Sequence, residues 1–138
     1  MLFVILIVFG LKLARKYIIK YEKIEVRDCR MFCSGKGEEV ILLLHGGFPS
    51  ARATKGFLAR FSFLNSTLCS IDYQLSGFGG KELEDVLECV DYWKGRKIAI
   101  IGKSHGGYLA LLAATYRNFS AVISIAAPVD LLSMTEFS

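Results

Sequence analysis

Two prolines and two histidines are all that this sequence of 138 residues contains, no two cysteines are spaced C-x-x-C, and its longest uncharged apolar opening, Met1 to Leu11, is short. Each shortage excludes something. Sparse proline, with 53% hydrophobic and 22% charged residues, excludes a disordered or linker-rich chain and points to one compact domain with a real core. Without C-x-x-C, the cysteines Cys29, Cys33, Cys69 and Cys89 lack zinc or dithiol spacing, so neither a metal nor a cofactor is expected. Cys69 and Cys89 fall in apolar patterns where cysteine acts as a small hydrophobe, and four free thiols suit a reducing compartment. A Cys29–Cys33 bridge stays open as the alternative.

Charge is also unevenly spread. Lys12 to Lys36 holds eight positive and three negative side chains, whereas Gly37 to Ser138 holds nine and ten. With no basic face elsewhere, nucleic acid is not an expected partner, and the basic excess beside an apolar start suits a membrane surface. The opening run of 11 residues is shorter than the roughly 20 that span a bilayer core. It lacks both the preceding positive stretch and the cleavage site of a secretory signal. Snorkelling of Lys12 would let residues 1–20 act as a marginal anchor, with the domain on the cytoplasmic side. A buried or interfacial N-terminal helix is the equal alternative.

The rest of the chain alternates strands and helices. Lys23 to Phe32 reads as a strand, followed by a turn over Ser34 to Gly37. Val40 to His45 is a continuous apolar run of the kind buried on both faces of a parallel sheet. A helix over Thr54 to Leu64, the strand "TLCSIDY" and a helix over Lys81 to Trp93 follow. The last of these puts Leu83, Val86, Leu87 and Val90 on its buried face and sends Glu82, Glu84, Asp85, Glu88 and Asp91 to water. The strand Lys97 to Gly102, the helix His105 to Tyr116 and the strand Ser120 to Ala126 complete an α/β pattern, a parallel sheet with helices on both faces.

On such a sheet, function gathers at the carboxyl ends of the strands. Three ends are unusual: "HGGF" at His45 to Phe48, "DYQLSGFGG" at Asp72 to Gly80, and "GKSHGG" at Gly102 to Gly107. The last fits G-x-S-x-G, in which two glycines allow a strand to turn abruptly into a helix and the apical serine is pushed outward. Ser104 is that apex. The backbone N–H of His105 then lies at a helix N-terminus, suited to a developing oxyanion, and Gly47 is the natural source of a second donor.

"LLLHGGF", "IDYQLSG", "IAIIGKSHGGYLALLAA" and "AAPVD" together resemble the first half of an α/β-hydrolase catalytic domain, most closely its prolyl-oligopeptidase-like and dienelactone-hydrolase-like branches. The likeness spans Val40 to Leu131 and implies a partial hydrolase domain over residues 21–138. It implies Ser104 as nucleophile, with the backbone amides of Gly47 and His105 as the oxyanion hole. His45 corresponds to a loop-propping histidine. Asp130 stands where some α/β-hydrolases carry the triad acid, although in the resembling branches the aspartate of "PVD" is structural.

The fold's order of serine, acid and histidine cannot be completed here, because no histidine follows His105. Two expectations follow. One is a serine hydrolase for ester or peptide-like acyl substrates, incomplete in this chain, whose acid and histidine come from elsewhere. The other is a non-catalytic, membrane-anchored half-domain that binds a partner. In either case the apolar strand 120–126, as the edge of an unfinished sheet, is expected to pair with a completing polypeptide or with a second copy.

Overall fold

The computed structural model describes residues 20–46, 56, 58–73, 80–125 and 127. Residues 1–19, Gly47 and Asp130 lie outside that set, so the anchor, the second oxyanion donor and the candidate acid are not placed by it. Among the described residues no helix is long and apolar enough to cross a membrane.

Among the described residues six strands form one sheet: β1 (Glu22–Val26), β2 (Cys29–Ser34), β3 (Val40–Leu44), β4 (Thr67–Ile71), β5 (Ile98–Lys103) and β6 (Ala121–Ile125). Their order is β1-β2-β4-β3-β5-β6. The expected α/β sheet is present: β4, β3, β5 and β6 run parallel, as right-handed crossovers through helices require. β1 and β2 differ from expectation. The single strand anticipated over Lys23 to Phe32 is a hairpin whose arms pair antiparallel, and β2 runs antiparallel to β4. The chain turns at Arg27, held at φ +55°, where the sequence has no glycine or asparagine to signal it.

Two helices, α1 (Lys81–Tyr92) and α2 (His105–Ala114), pack on one face of the sheet. That face is built from Val40, Leu42, Leu44, Ile98 and Ile100, against Val86, Val90, Leu109 and Ala113. The alternate residues Ile41, Leu43, Ala99 and Ile101 face the other way, onto Leu58 of the helical turn 58–60. β3 is buried at every position, which is why its sequence is a continuous apolar run rather than an alternating one.

The buried side of α1 is rotated from its expected position. Glu82 and Asp85 are buried with Val86, Cys89 and Val90, while Leu83 and Leu87 are only partly covered. Asp85 is tied to Lys81, one turn back, at 3.2 Å, and Lys81 also reaches Asp28 at 2.9 Å. Burial raises the Asp85 pKa.

The cysteines are paired, which overturns the expectation of free thiols. Cys29 bridges to Cys89 and Cys33 to Cys69, with Cα separations of 5.0 and 4.1 Å. Cys33 and Cys69 are directly opposed on β2 and β4, and Cys29 opens β2 where α1 crosses it. Both pairs are distant in sequence, so local spacing could not reveal them. The thiol argument for a reducing compartment falls with them.

Candidate functional site around Ser104

Ser104 stands between the last residue of β5 and the first of α2, exposed, with φ +54° and ψ −120°. That pair of angles lies outside the regions an L-residue ordinarily occupies, and such a conformation persists only where its surroundings over-determine it. Its own backbone is held on both sides. The Ser104 N–H donates to the Ile125 carbonyl at 2.8 Å, and the Ser104 carbonyl accepts from the Tyr108 N–H at 3.1 Å. Glycines close the turn from beneath. A Cβ on Gly102 would overlap the Gly106 backbone, and one on Gly106 would overlap the Leu44 carbonyl and stand 2.6 Å from that of His45. The two glycines singled out from the sequence are therefore the ones the turn demands.

Gly46 is a contributor that sequence reasoning passed over in favour of Gly47. A Cβ there would lie 2.6 Å from the Lys103 carbonyl and 2.9 Å from the Ser104 Cβ. The loop leaving β3 thus presses its backbone directly against the serine, and the paired glycines of "HGG" were the available signal.

Behind the turn lies a buried polar layer. His45 is 2% exposed and stacks on Tyr73 with ring centroids 4.6 Å apart, while the Tyr73 hydroxyl donates to the His45 carbonyl. The loop after β3 is thereby tied to the end of β4. His105, next to Ser104 in the chain, faces inward: its ring lies 6.2 Å from those of both Tyr73 and Tyr108, and its Nε2 lies 3.8 Å from Oε1 of Glu82. Exposed Ser104 and buried His105 thus point to opposite sides of the turn.

Burial lowers the pKa of both histidines below the ordinary value of 6.5. For His45 the Gly46 carbonyl and Asp72 oppose this, and His105 adds to it; for His105 the charge of Glu82 opposes it. Burial and Glu82 together push the Tyr73 phenol up. Because the folded state resists protonating both imidazoles, their contribution to stability is complete above 6.5 and declines as pH falls through that value towards their folded pKa values. Denaturant titrations at pH 7.5 and 6.0 are expected to show the lower stability at pH 6.0, a difference that shrinks in His105→Phe.

Comparison with known proteins extends this geometry. Residues 76–138, which contain the serine turn, match the family model "Prolyl oligopeptidase family". Dipeptidyl peptidase family member 6 of Caenorhabditis elegans is 27% identical over 123 residues, covering 72% of this chain and 16% of that protein. An esterase from Pyrococcus furiosus aligns with TM-score 0.66 at 17% identity, over 93% of this chain and 58% of its own. An α/β-hydrolase enzyme from a Medee basin deep-sea metagenome library aligns with TM-score 0.61 at 20% identity, over 75% of this chain and 55% of its own. Mouse alpha/beta hydrolase domain-containing protein 10 gives 0.62 at 21% identity, over 86% and 54%. The chain thus spans a small part of its curated relative and little more than half of each solved structure. With its parallel sheet, and with the serine turn inside the matched stretch, the chain has the fold of the α/β-hydrolases, and its residues 76–138 are similar to the prolyl oligopeptidase family.

Proposed function

We propose that Ser104 is the nucleophile of a serine hydrolase acting on ester or peptide-like acyl bonds. The observation that carries this is the exposed serine at φ +54° on the junction of β5 and α2, the strained apex that a presented nucleophile requires. Oγ would attack the acyl carbon, its proton passing to an imidazole and then to the leaving group. Water would next cleave the acyl-enzyme and regenerate Ser104. The amides of His105 and Gly47 would hold the oxyanion.

The imidazole is not His45 or His105, since both are buried in contacts behind the turn. The base would come from residues outside these 138, and the acid from there or from Asp130. β6 is the end of the sheet order and the natural seam for the polypeptide that supplies them, with pairing of two copies there as the alternative. Membrane association through residues 1–20 remains part of the proposal. Recovery of the full chain wholly in the soluble fraction would remove it.

A fluorophosphonate probe tests the chemistry. The 138-residue chain alone is expected to label barely, because a serine hydroxyl without a base is a weak nucleophile. Joined to a segment carrying a late acid and histidine, it should label at Ser104, and Ser104→Ala should abolish the label. Label retained in Ser104→Ala overturns the assignment. Full labelling of the chain alone would instead make one of its own histidines the base. The second reading, a binding half-domain without catalysis, is favoured by the engagement of both histidines in the interior, and it predicts no label under either condition.

A further inference from the structure

Glu82 has no place in the mechanism above, yet it is the most deeply buried charged residue described. Its side chain is 1% exposed, and it faces His105, whose side chain is 10% exposed, across 3.8 Å. Carboxylates are almost never buried so completely without a reason, because desolvating one costs on the order of its whole interaction with a partner. Its position offsets part of that cost: Glu82 lies in the first turn of α1, where the unpaired N–H groups and the helix dipole favour negative charge. The carboxylate is thus carried by α1, an element separate from the one that bears the serine.

It faces the supports of both sides of the serine turn. His105 is the first residue of α2, and the peptide unit joining it to Ser104 carries the amide assigned to the oxyanion hole. The carboxylate and the imidazole lie against each other in the interior, so displacing the ring would disturb a buried polar contact, and the ring and the backbone bearing it are held in place by it. Tyr73, whose phenol feels the Glu82 charge, donates to the carbonyl of His45, immediately before the Gly46 backbone that presses on Ser104.

We propose that Glu82 is a positioning residue that holds His105, and through it the Ser104–His105 peptide, in the strained geometry of the turn. The catalytic meaning of this role rests on the hydrolase reading above. The holding itself does not.

Amide hydrogen exchange separates the two. In Glu82→Gln, which keeps the shape and removes the charge, exchange at the Ser104 and Tyr108 amides is expected to rise about tenfold, while Leu42 and Leu43 in β3 stay unchanged. In a His105→Phe background the same substitution should add nothing at the turn, because the group through which Glu82 acts is gone. Glu82→Met replaces Glu82→Gln should the latter not fold. Unchanged exchange at Ser104 and Tyr108, equal acceleration in β3, unfolding of both variants, or full additivity in the double variant would each overturn the proposal by making Glu82 an ordinary core residue. Absence of probe labelling at Ser104 in the completed wild-type protein would sink the hydrolase reading while leaving the exchange result to decide on Glu82.

Discussion

Reduction of the two disulfides is expected to lower the melting temperature by roughly 25 °C, by the usual entropy of unfolding for a domain of this size. The Cys29–Cys89 bridge joins residues 60 apart and Cys33–Cys69 residues 36 apart. Loop-closure entropy gives about 4 kcal/mol for either one alone, against the roughly 5–15 kcal/mol that holds a whole domain. Because the shorter loop is nested within the longer, together they give somewhat less than their sum, about 7 kcal/mol. All four sulfurs lie in the interior, so reduction also leaves thiols packed where bridges were, and a mild reductant should act slowly on the native state. Circular-dichroism melts with and without a strong phosphine reductant, with thiol counting by alkylation in denaturant, decide the matter. A melting temperature indifferent to reductant, with four alkylated cysteines beforehand, would restore the free thiols that the sequence suggests.

Those bridges mark where sequence reasoning reaches its limit. Val40 to Leu44 is legible because five apolar residues without alternation have few places to go except the centre of a covered sheet. In "GKSHGG" the demand on Gly102 is local, since its Cβ would meet the Gly106 backbone, while Gly106 answers to Leu44 and His45 of another element and is legible only through the motif. The hairpin of β1 and β2 was hidden because Arg27 adopts a positive φ that its side chain disfavours, and tertiary pairing of β2 with β4 overrides that local preference. Glu82 was assigned to water by the same periodicity that correctly buried Val86 and Val90. Periodicity cannot know that a histidine from another helix waits on that side. Gly46 was passed over because its requirement comes from Lys103 and Ser104, nearly 60 positions away, and not from its own turn. What is fixed within one element could be read from the chain. What depends on which elements meet could not.

Gly106→Ala is expected to be, with Gly102→Ala, among the most damaging substitutions of the turn, costing about 3 kcal/mol or more, at or beyond the upper end for overpacking a core. The added methyl would meet the carbonyl oxygens of Leu44 and His45, which belong to the end of β3 and the loop it launches. No flexible side chain can yield there. Either the strand retreats from its pairing with β5 or the first turn of α2 lifts away, and both motions dismantle the platform that strains Ser104. Gly56→Ala is the matched control: it is helical, a Cβ there meets nothing within 4 Å, and it should stabilise slightly, by roughly 0.5–1 kcal/mol. Ser104→Gly should also stabilise, by about 1 kcal/mol, because glycine alone tolerates the apex conformation without strain. Urea titrations of the three variants are therefore expected to move in opposite directions, Gly106→Ala down and the other two up. Should Gly106→Ala unfold at the same urea concentration as the wild type, β3 and the serine turn do not approach so closely. Should Ser104→Gly prove no more stable than wild type, the turn is not strained, and the physical basis for taking Ser104 as a presented nucleophile is lost.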